Sequence, residues 1–321
     1  MSKADNLKDF LDLAQCSRSD LESLLILAAE IKATPEKFSQ VLAGKSLAMI
    51  FKKSSTRTRV SFEVGMFQLG GQAIFMSSGQ TQVGRGEPLK DTARVLSRYV
   101  NGIMIRTFDH ADVETLARYA TVPVINGLTD FLHPCQVLTD IFTIKECLGF
   151  DFCDLVGLKV AYIGDGNNMA NSWINAALRF GLDLKIACPA GYEPDAALLE
   201  QANRQSDRGK VAVVLDPLVA AKGAAVLNTD VWASMGQEDE ARERQQAFAG
   251  YQINDKLLQV AENPLVLHCL PAHRGEEITV SVFEHYQDLI FTQAENRLHV
   301  QKALLVKLLN RRVEKVEEEK S

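Results

Sequence analysis

"SLAMIFKKSSTRTRVSFEVGMFQLG", residues 46–70, begins as one kind of element and ends as another. Its first six residues form a near-continuous apolar run, the pattern of a strand buried on both faces. From Arg57 onward the apolar residues return at helical spacing. A strand that feeds directly into a helix is the first half of a βαβ unit, and such units build parallel sheets covered by helices. The junction carries Lys52, Lys53, Arg57 and Arg59 among five hydroxyl residues. Positive side chains at a helix N-terminus oppose its partial positive charge by roughly 0.3–1 kcal/mol each. An anion lying on the unpaired N–H groups would remove that conflict, and a phosphate accepts backbone, hydroxyl and guanidinium bonds together. The alternative is a solvent-facing basic helix start. The stretch is not a Walker loop, since G-x-x-x-x-G-K-[ST] is absent.

The same alternation continues in both directions. "QAIFM" (72–76), "GIMIRTF" (102–108) and "VPVINGL" (122–128) read as further strands, separated by the helical patterns "LKDTARVLSRYV" and "DVETLARYA". A second series follows: "LKVAYIGDG" (158–166), "LKIACPA" (184–190), "KVAVVLD" (210–216), "AAVLNTD" (224–230), "PLVLHCL" (264–270) and "LIFTQ" (289–293). The expected architecture is α/β, two doubly wound domains, each a parallel sheet covered by helices. The segment from Pro134 to about Gly149 reads as one helix linking the halves, with Pro in its first turn. Upstream, Ser19 and Glu22 stand at capping-box spacing, which predicts a helix start there. The last helix, from "ENRLHV" onward, is expected to follow the final strand and to end in a solvated charge run.

The 321 residues suit about two domains. A net charge of −6 argues against nonspecific nucleic-acid binding and leaves room for one basic pocket. Six cysteines without C-x-x-C spacing, and a start that lacks a secretory pattern, point to a reduced cytoplasmic setting. No apolar run approaches the ~20 residues of a membrane span.

Three other segments carry candidate ligands. Arg106 stands at the C-terminal end of a strand, where α/β sheets bind ligands. His133 and Gln136 stand at the entrance of the linking helix. A polar, glycine-containing loop, "SSGQTQVGRGEP", carries Gln82.

In chain order, "STRTR", "HPCQ", "DGNN", "NTDVWASMG" and "HCLPAHRGEE" resemble the carbamoyltransferases, and the last two resemble the ornithine-type branch. The resemblance covers nearly the whole chain. It implies a carbamoyl phosphate-binding domain over 1–147 and an ornithine-binding domain over 148–302, with a helix from about 303 to 321 packing back on the first. It implies that Ser55, Thr56, Arg57, Thr58, Arg106, His133, Pro134, Cys135, Gln136, Cys269, Leu270 and Arg297 surround carbamoyl phosphate. Gln82 would reach in across a subunit interface of a homotrimer. Asn168, Asp230, Ser234 and Met235 would hold ornithine. Arg57, Arg106, His133 and Cys269 would act on the reaction, which needs no metal and no organic cofactor. Residues 234–252, polar and rich in charge, read as a mobile lid.

Rival readings remain at this stage. "VAYIGDGNNMANS" has the strand–turn–helix form of a dinucleotide site, yet Met169 stands where the third glycine of the fingerprint belongs. His268, Cys269 and His273 suggest a metal, but adjacent strand residues point to opposite faces. A binding protein without catalysis would be expected to lack some of Arg57, Arg106, His133 and Cys269. Sister enzymes acting on aspartate, putrescine or N-acetylornithine share the phosphate half. Asp230 beside "SMG" favours a free α-ammonium group, and so ornithine.

Overall fold

The computed structural model describes residues 7–77, 86–205, 209–233 and 240–310. Two parallel sheets organise the chain. The first contains β1 (Ser46–Phe51), β2 (Gln72–Ser77), β3 (Gly102–Arg106) and β4 (Val124–Leu128), in the order β2-β1-β3-β4. The second contains β5 (Lys159–Ile163), β6 (Asp183–Ala187), β7 (Lys210–Val214), β8 (Val226–Thr229) and β9 (Leu265–His268), in the order β7-β6-β5-β8-β9. β1 matches its apolar run and β2 exceeds its run by one residue, while most later strands are shorter than their runs, whose ends lie in the flanking turns.

Strand alternation divides the interior into layers. Leu47, Met49 and Phe51 of β1 and Val160 and Tyr162 of β5 enter one core shared by both halves. Ala48 and Ile50 face a separate layer on the first sheet, and Ala161 and Ile163 one on the second. The shared core is closed by α1 (Arg18–Ala33), α2 (Thr56–Gln68), α5 (Pro134–Leu148), α6 (Asn168–Phe180) and α11 (Val280–Leu309). The remaining helices are α3 (Leu89–Leu96), α4 (His110–Tyr119), α7 (Ala196–Gln205), α8 (Pro217–Ala221), α9 (Ala241–Ala247) and α10 (Asp255–Val260).

Helix α5 matches its expected span. Pro134 occupies the first turn, and Gly149 closes the end in the left-handed conformation at φ 65°. Helix α1 starts two residues before the expected box. Ser17 is the N-cap, its hydroxyl accepting from the Asp20 N–H, while Ser19 bonds to Ser17.

The strand expected at 289–293 does not form. "LIFTQ" lies inside α11, whose cap is Thr279, the hydroxyl accepting from the Val282 N–H. The buried positions Phe283, Ile290, Gln293, Arg297, Val300, Leu304 and Leu308 recur at three, four or seven residues, a helical period over about seven turns. A five-residue apolar window is too short to reveal it. The C-terminal helix therefore begins near 280, and its return to the first half begins before residue 303. Near its middle Gln293 accepts from the His268 N–H at the end of β9 (2.9 Å). Farther on Lys302 donates to Gln68 of α2 and Lys307 to Ser23 of α1.

The expected lid divides. Its portion 234–239 lies outside the described residues. The portion after it is anchored: Arg244 pairs with Asp165 at 2.8 Å, both buried, and Phe248 is fully buried between Tyr192 and Trp232.

Candidate active site

Each sheet has a crevice where chain connections leave in opposite senses, the place where open α/β sheets bind ligands. In the first sheet it lies between β1 and β3, in the second between β5 and β8. The C-terminal ends at both crevices face a single cavity of about 1120 Å³. Its lining combines Lys53, Ser55, Thr56, Arg57, Arg106, His133 and Arg297 with Asn168, Asp230, Cys269 and Leu270.

The first wall is built on the opening stretch. Ser55 is the N-cap of α2, its hydroxyl accepting from the Thr58 N–H at 3.2 Å. The fully buried Thr58 hydroxyl accepts from Arg106 (3.3 Å) and from Arg297 of α11 (2.7 Å). Arg297 also donates to Gln136 Oε1 and to His133 Nε2, each at 3.1 Å. The partners of these two buried guanidiniums are therefore neutral groups. Burial, then repulsion from Arg297 and Arg57, pushes Arg106 down to about 9. Charges crowded into such a cavity favour any small dianion that can enter it. Lys53 is already matched, its Nζ 2.6 Å from Asp130. Arg59 is also occupied: it pairs with Glu63 at 3.0 Å and lies over the Phe75 ring on the surface.

His133 is neutral. Burial, then the charges of Arg297, Arg106, Arg57 and Lys53, hold it well below the usual imidazole range. A guanidinium only donates, so His133 Nε2 accepts and the ring proton sits on Nδ1. The backbone N–H of His133 is held by Ser172 of α6 at 2.7 Å, which ties the two walls together.

The second wall centres on Asp230, just past β8. Its Oδ1 accepts from the Val231 N–H (2.8 Å) and from the Cys269 thiol (2.9 Å), and its Oδ2 from Asn167 (3.3 Å). Burial, with Asp230 beside it, holds the Cys269 thiol well above the ordinary thiol range, so sulfur is a donor here. Leu270 follows at φ 59°, a left-handed conformation uncommon for leucine. Its N–H donates to His268 Nδ1 at 2.9 Å, and His268 Nε2 in turn meets buried Glu277 at 3.0 Å. His268 and Cys269 are thus committed to different partners.

Most residues singled out from the sequence converge on this cavity, and a few stand apart. Cys135 points its thiol at the Asn126 carbonyl (3.4 Å), and burial pushes it up to about 12. Thr58, Pro134, Cys135 and Gln136 are absent from the lining; Thr58 and Gln136 reach the site through Arg297. Gln82, Ser234 and Met235 lie outside the described residues. Asn168 lines the cavity while donating to the Thr129 carbonyl at 2.6 Å; the neighbouring Asn167 is the one that reaches Asp230. "DGNN" carried that signal without saying which amide turns inward. The glycine turn of the dinucleotide rival serves packing instead. A Cβ on Gly166 would lie 2.3 Å from the Glu193–Pro194 backbone.

Paired doubly wound sheets whose crevices share one basic cavity define a two-lobed α/β enzyme. The chain belongs to the aspartate/ornithine carbamoyltransferase family: residues 8–146 match its carbamoyl-P binding domain and residues 156–308 its Asp/Orn binding domain. It is 56% identical over 305 residues to the ornithine carbamoyltransferase of Syntrophotalea carbinolica, covering 94% of this chain and 99% of that one. The solved ornithine carbamoyltransferase of Pyrococcus furiosus superposes with a TM-score of 0.88 at 48% identity, covering 94% of this chain and 97% of that chain. That of Campylobacter jejuni, an anabolic enzyme, gives 0.89 at 43% identity, with 95% and 100% covered.

Proposed function

We propose that this protein transfers the carbamoyl group of carbamoyl phosphate to the δ-amine of L-ornithine, forming L-citrulline and phosphate. The observation that carries the reading is the shared cavity: a cationic wall with neutral internal partners faces a wall bearing Asp230, Asn168 and Cys269. Carbamoyl phosphate meets the first wall, its phosphate on the α2 N-terminus with Ser55, Thr56 and Arg57. Arg106 spans phosphate and carbamoyl oxygen. Negative charge builds on that oxygen as the amine attacks, and preorganised donors of this kind are worth roughly 3–4 kcal/mol each. In this reading Arg106 supplies them, together with Thr58 and the neutral His133. Phosphate then departs carrying charge that Arg57 and Arg106 stabilise.

Ornithine meets the second wall, to which Cys269, bonded to Asp230, is assigned here rather than to the carbamoyl phosphate wall. Its α-ammonium pairs with Asp230, and Asn168 both donates to and accepts from the amino-acid head group. The δ-amine must be neutral to attack, and with a lysine-like pKa of about 10.4 only about one molecule in 2,500 is neutral at pH 7. The enzyme selects that form. Holding both reactants in line contributes up to about 7–11 kcal/mol.

The proposal includes a cytoplasmic role in arginine biosynthesis and a homotrimer. All six cysteines are free thiols, in keeping with a reduced compartment. Among the described residues no helix is long and apolar enough to cross a membrane. Val60 and Phe67 of α2 are exposed large apolar residues, suited to contact with a second copy. An acceptor panel decides the substrate. Ornithine, putrescine, N-acetylornithine and aspartate are each supplied with carbamoyl phosphate, and ureido products are measured. Ornithine should be carbamoylated fastest; preference for another amine overturns the reading.

A further inference from the structure

Asp140 lies wholly inside the protein, one helical turn beyond Gln136 on α5, and lines no part of the cavity. Two side-chain amides converge on one of its oxygens. Gln136 Nε2 reaches Oδ1 at 2.8 Å, and Gln293 Nε2 of α11 reaches the same oxygen at 2.6 Å. The other oxygen, Oδ2, is buried without a hydrogen-bond partner among the described residues. Each amide hands the polarity on. Gln136 Oε1 accepts from Arg297, which also binds His133 and Thr58. Gln293 Oε1 accepts from the His268 N–H, one residue before Cys269.

An amide can be flipped with little change in shape, so something must choose its orientation. At the far ends the choice is already restricted, because a guanidinium and a backbone N–H only donate. Each amide must therefore turn its NH₂ inward, and a shared acceptor at the root makes both orientations favourable at once. We infer that Asp140 is a positioning residue whose Oδ1 sets the direction of two amide relays, one ending at Arg297 and His133 and the other at the His268–Cys269 turn. This rests on the carbamoyl-transfer reading of the cavity. The relays link the wall assigned to carbamoyl phosphate with the wall assigned to ornithine through a single buried oxygen. Burial pushes the Asp140 carboxyl up to about 7. The arrangement tolerates protonation, since a proton on Oδ2 leaves Oδ1 accepting. The oxygen, rather than the negative charge, is what the relays use.

The test compares Asp140→Asn, Asp140→Leu and Gln293→Leu with the unaltered protein, measuring kcat, both KM values and thermal stability. Asp140→Asn keeps an acceptor at Oδ1 and should stay within about threefold of the parent in all three constants. Asp140→Leu removes it and should raise both KM values about tenfold or more, with a fall in kcat. Gln293→Leu interrupts only the second relay and should raise the ornithine KM about tenfold while leaving that for carbamoyl phosphate within about threefold. A purely structural role would instead lower stability and the active fraction, leave both KM values in place, and show no preferential rescue by Asn. Equal damage from Asn and Leu overturns the inference. So does an ornithine KM unmoved by Gln293→Leu, which decides the matter alone should Asp140→Leu not fold. Absence of citrulline formation by the unaltered protein would instead overturn the proposed function, so the two failures are distinguishable.

Discussion

At the scale of single residues the cavity is a balance between three guanidiniums and the group they are built to receive. Arg106→Lys keeps a charge but loses the planar fork, which a compact ammonium cannot reproduce. It should cost roughly 10²–10³ in kcat/KM for carbamoyl phosphate, measured by steady-state kinetics. Across the cavity, Asp230→Ala should raise the ornithine KM far more than that for carbamoyl phosphate, with Asn167→Ala acting in the same direction and more weakly. Equal loss for both substrates would contradict the assignment of Asp230. The thiol of Cys269 bears on the pH profile. With ornithine, kcat/KM should climb from about pH 6 to pH 8.5, because the neutral amine fraction grows below its pKa of about 10.4. Cys269 is held well above the ordinary thiol range, so it stays protonated through that interval. Cys269→Ser should therefore keep the slope while lowering its height, and a profile flattened by the substitution would reassign the proton to sulfur.

Secondary-structure elements explain why some of the site could be read early. The β1–α2 junction declares itself within 25 residues, because an apolar strand, a hydroxyl-rich cap and a helical period stand in direct succession. His133 and Gln136 were legible for a similar reason, since Pro134 marks the first turn of α5. Helix α11 was not legible in full. Its buried face includes Gln293, Asn296, Arg297, Gln301 and Lys302, so a search for apolar periodicity passes over it and stops at "LIF". Asp140 shows the same thing within α5, a carboxyl set between apolar neighbours. Its pKa, raised from an ordinary 3.8 to about 7, means the folded chain holds more protons than the unfolded one between those values. Stability from this group is therefore present below about pH 4 and lost as pH rises toward 7. Asp140→Asn lacks that dependence. Its melting temperature should gain on the parent's by a few degrees between the two ends of the window, as calorimetry would show, and a constant difference would refute the assignment.

For the whole molecule, the decisive feature is that two sheets with separate crevices close on one cavity. Helix α11 makes this possible by passing β9 at Gln293 and finishing against α1 and α2, delivering Arg297 to Thr58 on the way. On the outer face of α2, Phe67 is 80% exposed. If that face joins copies into a trimer, light scattering should give about three times the 35.5 kDa chain mass, and Phe67→Glu should dissociate it. A monomeric parent with full activity would overturn the assembly.

The motif residues came from the resemblance to a family, but the succession of the nine strands and the capped, basic start of α2 were determined by the sequence alone. Each depends on interactions between residues a few positions apart, which leave a periodic or capping trace. Only the tertiary structure decided which asparagine of "DGNN" faces Asp230, that Cys135 turns away from the cavity, and that His133 is neutral. It also decided that Asp140 lies at the root of two relays. Those outcomes depend on burial and on partners up to 239 positions away, as Thr58 and Arg297 are, and no local pattern records them.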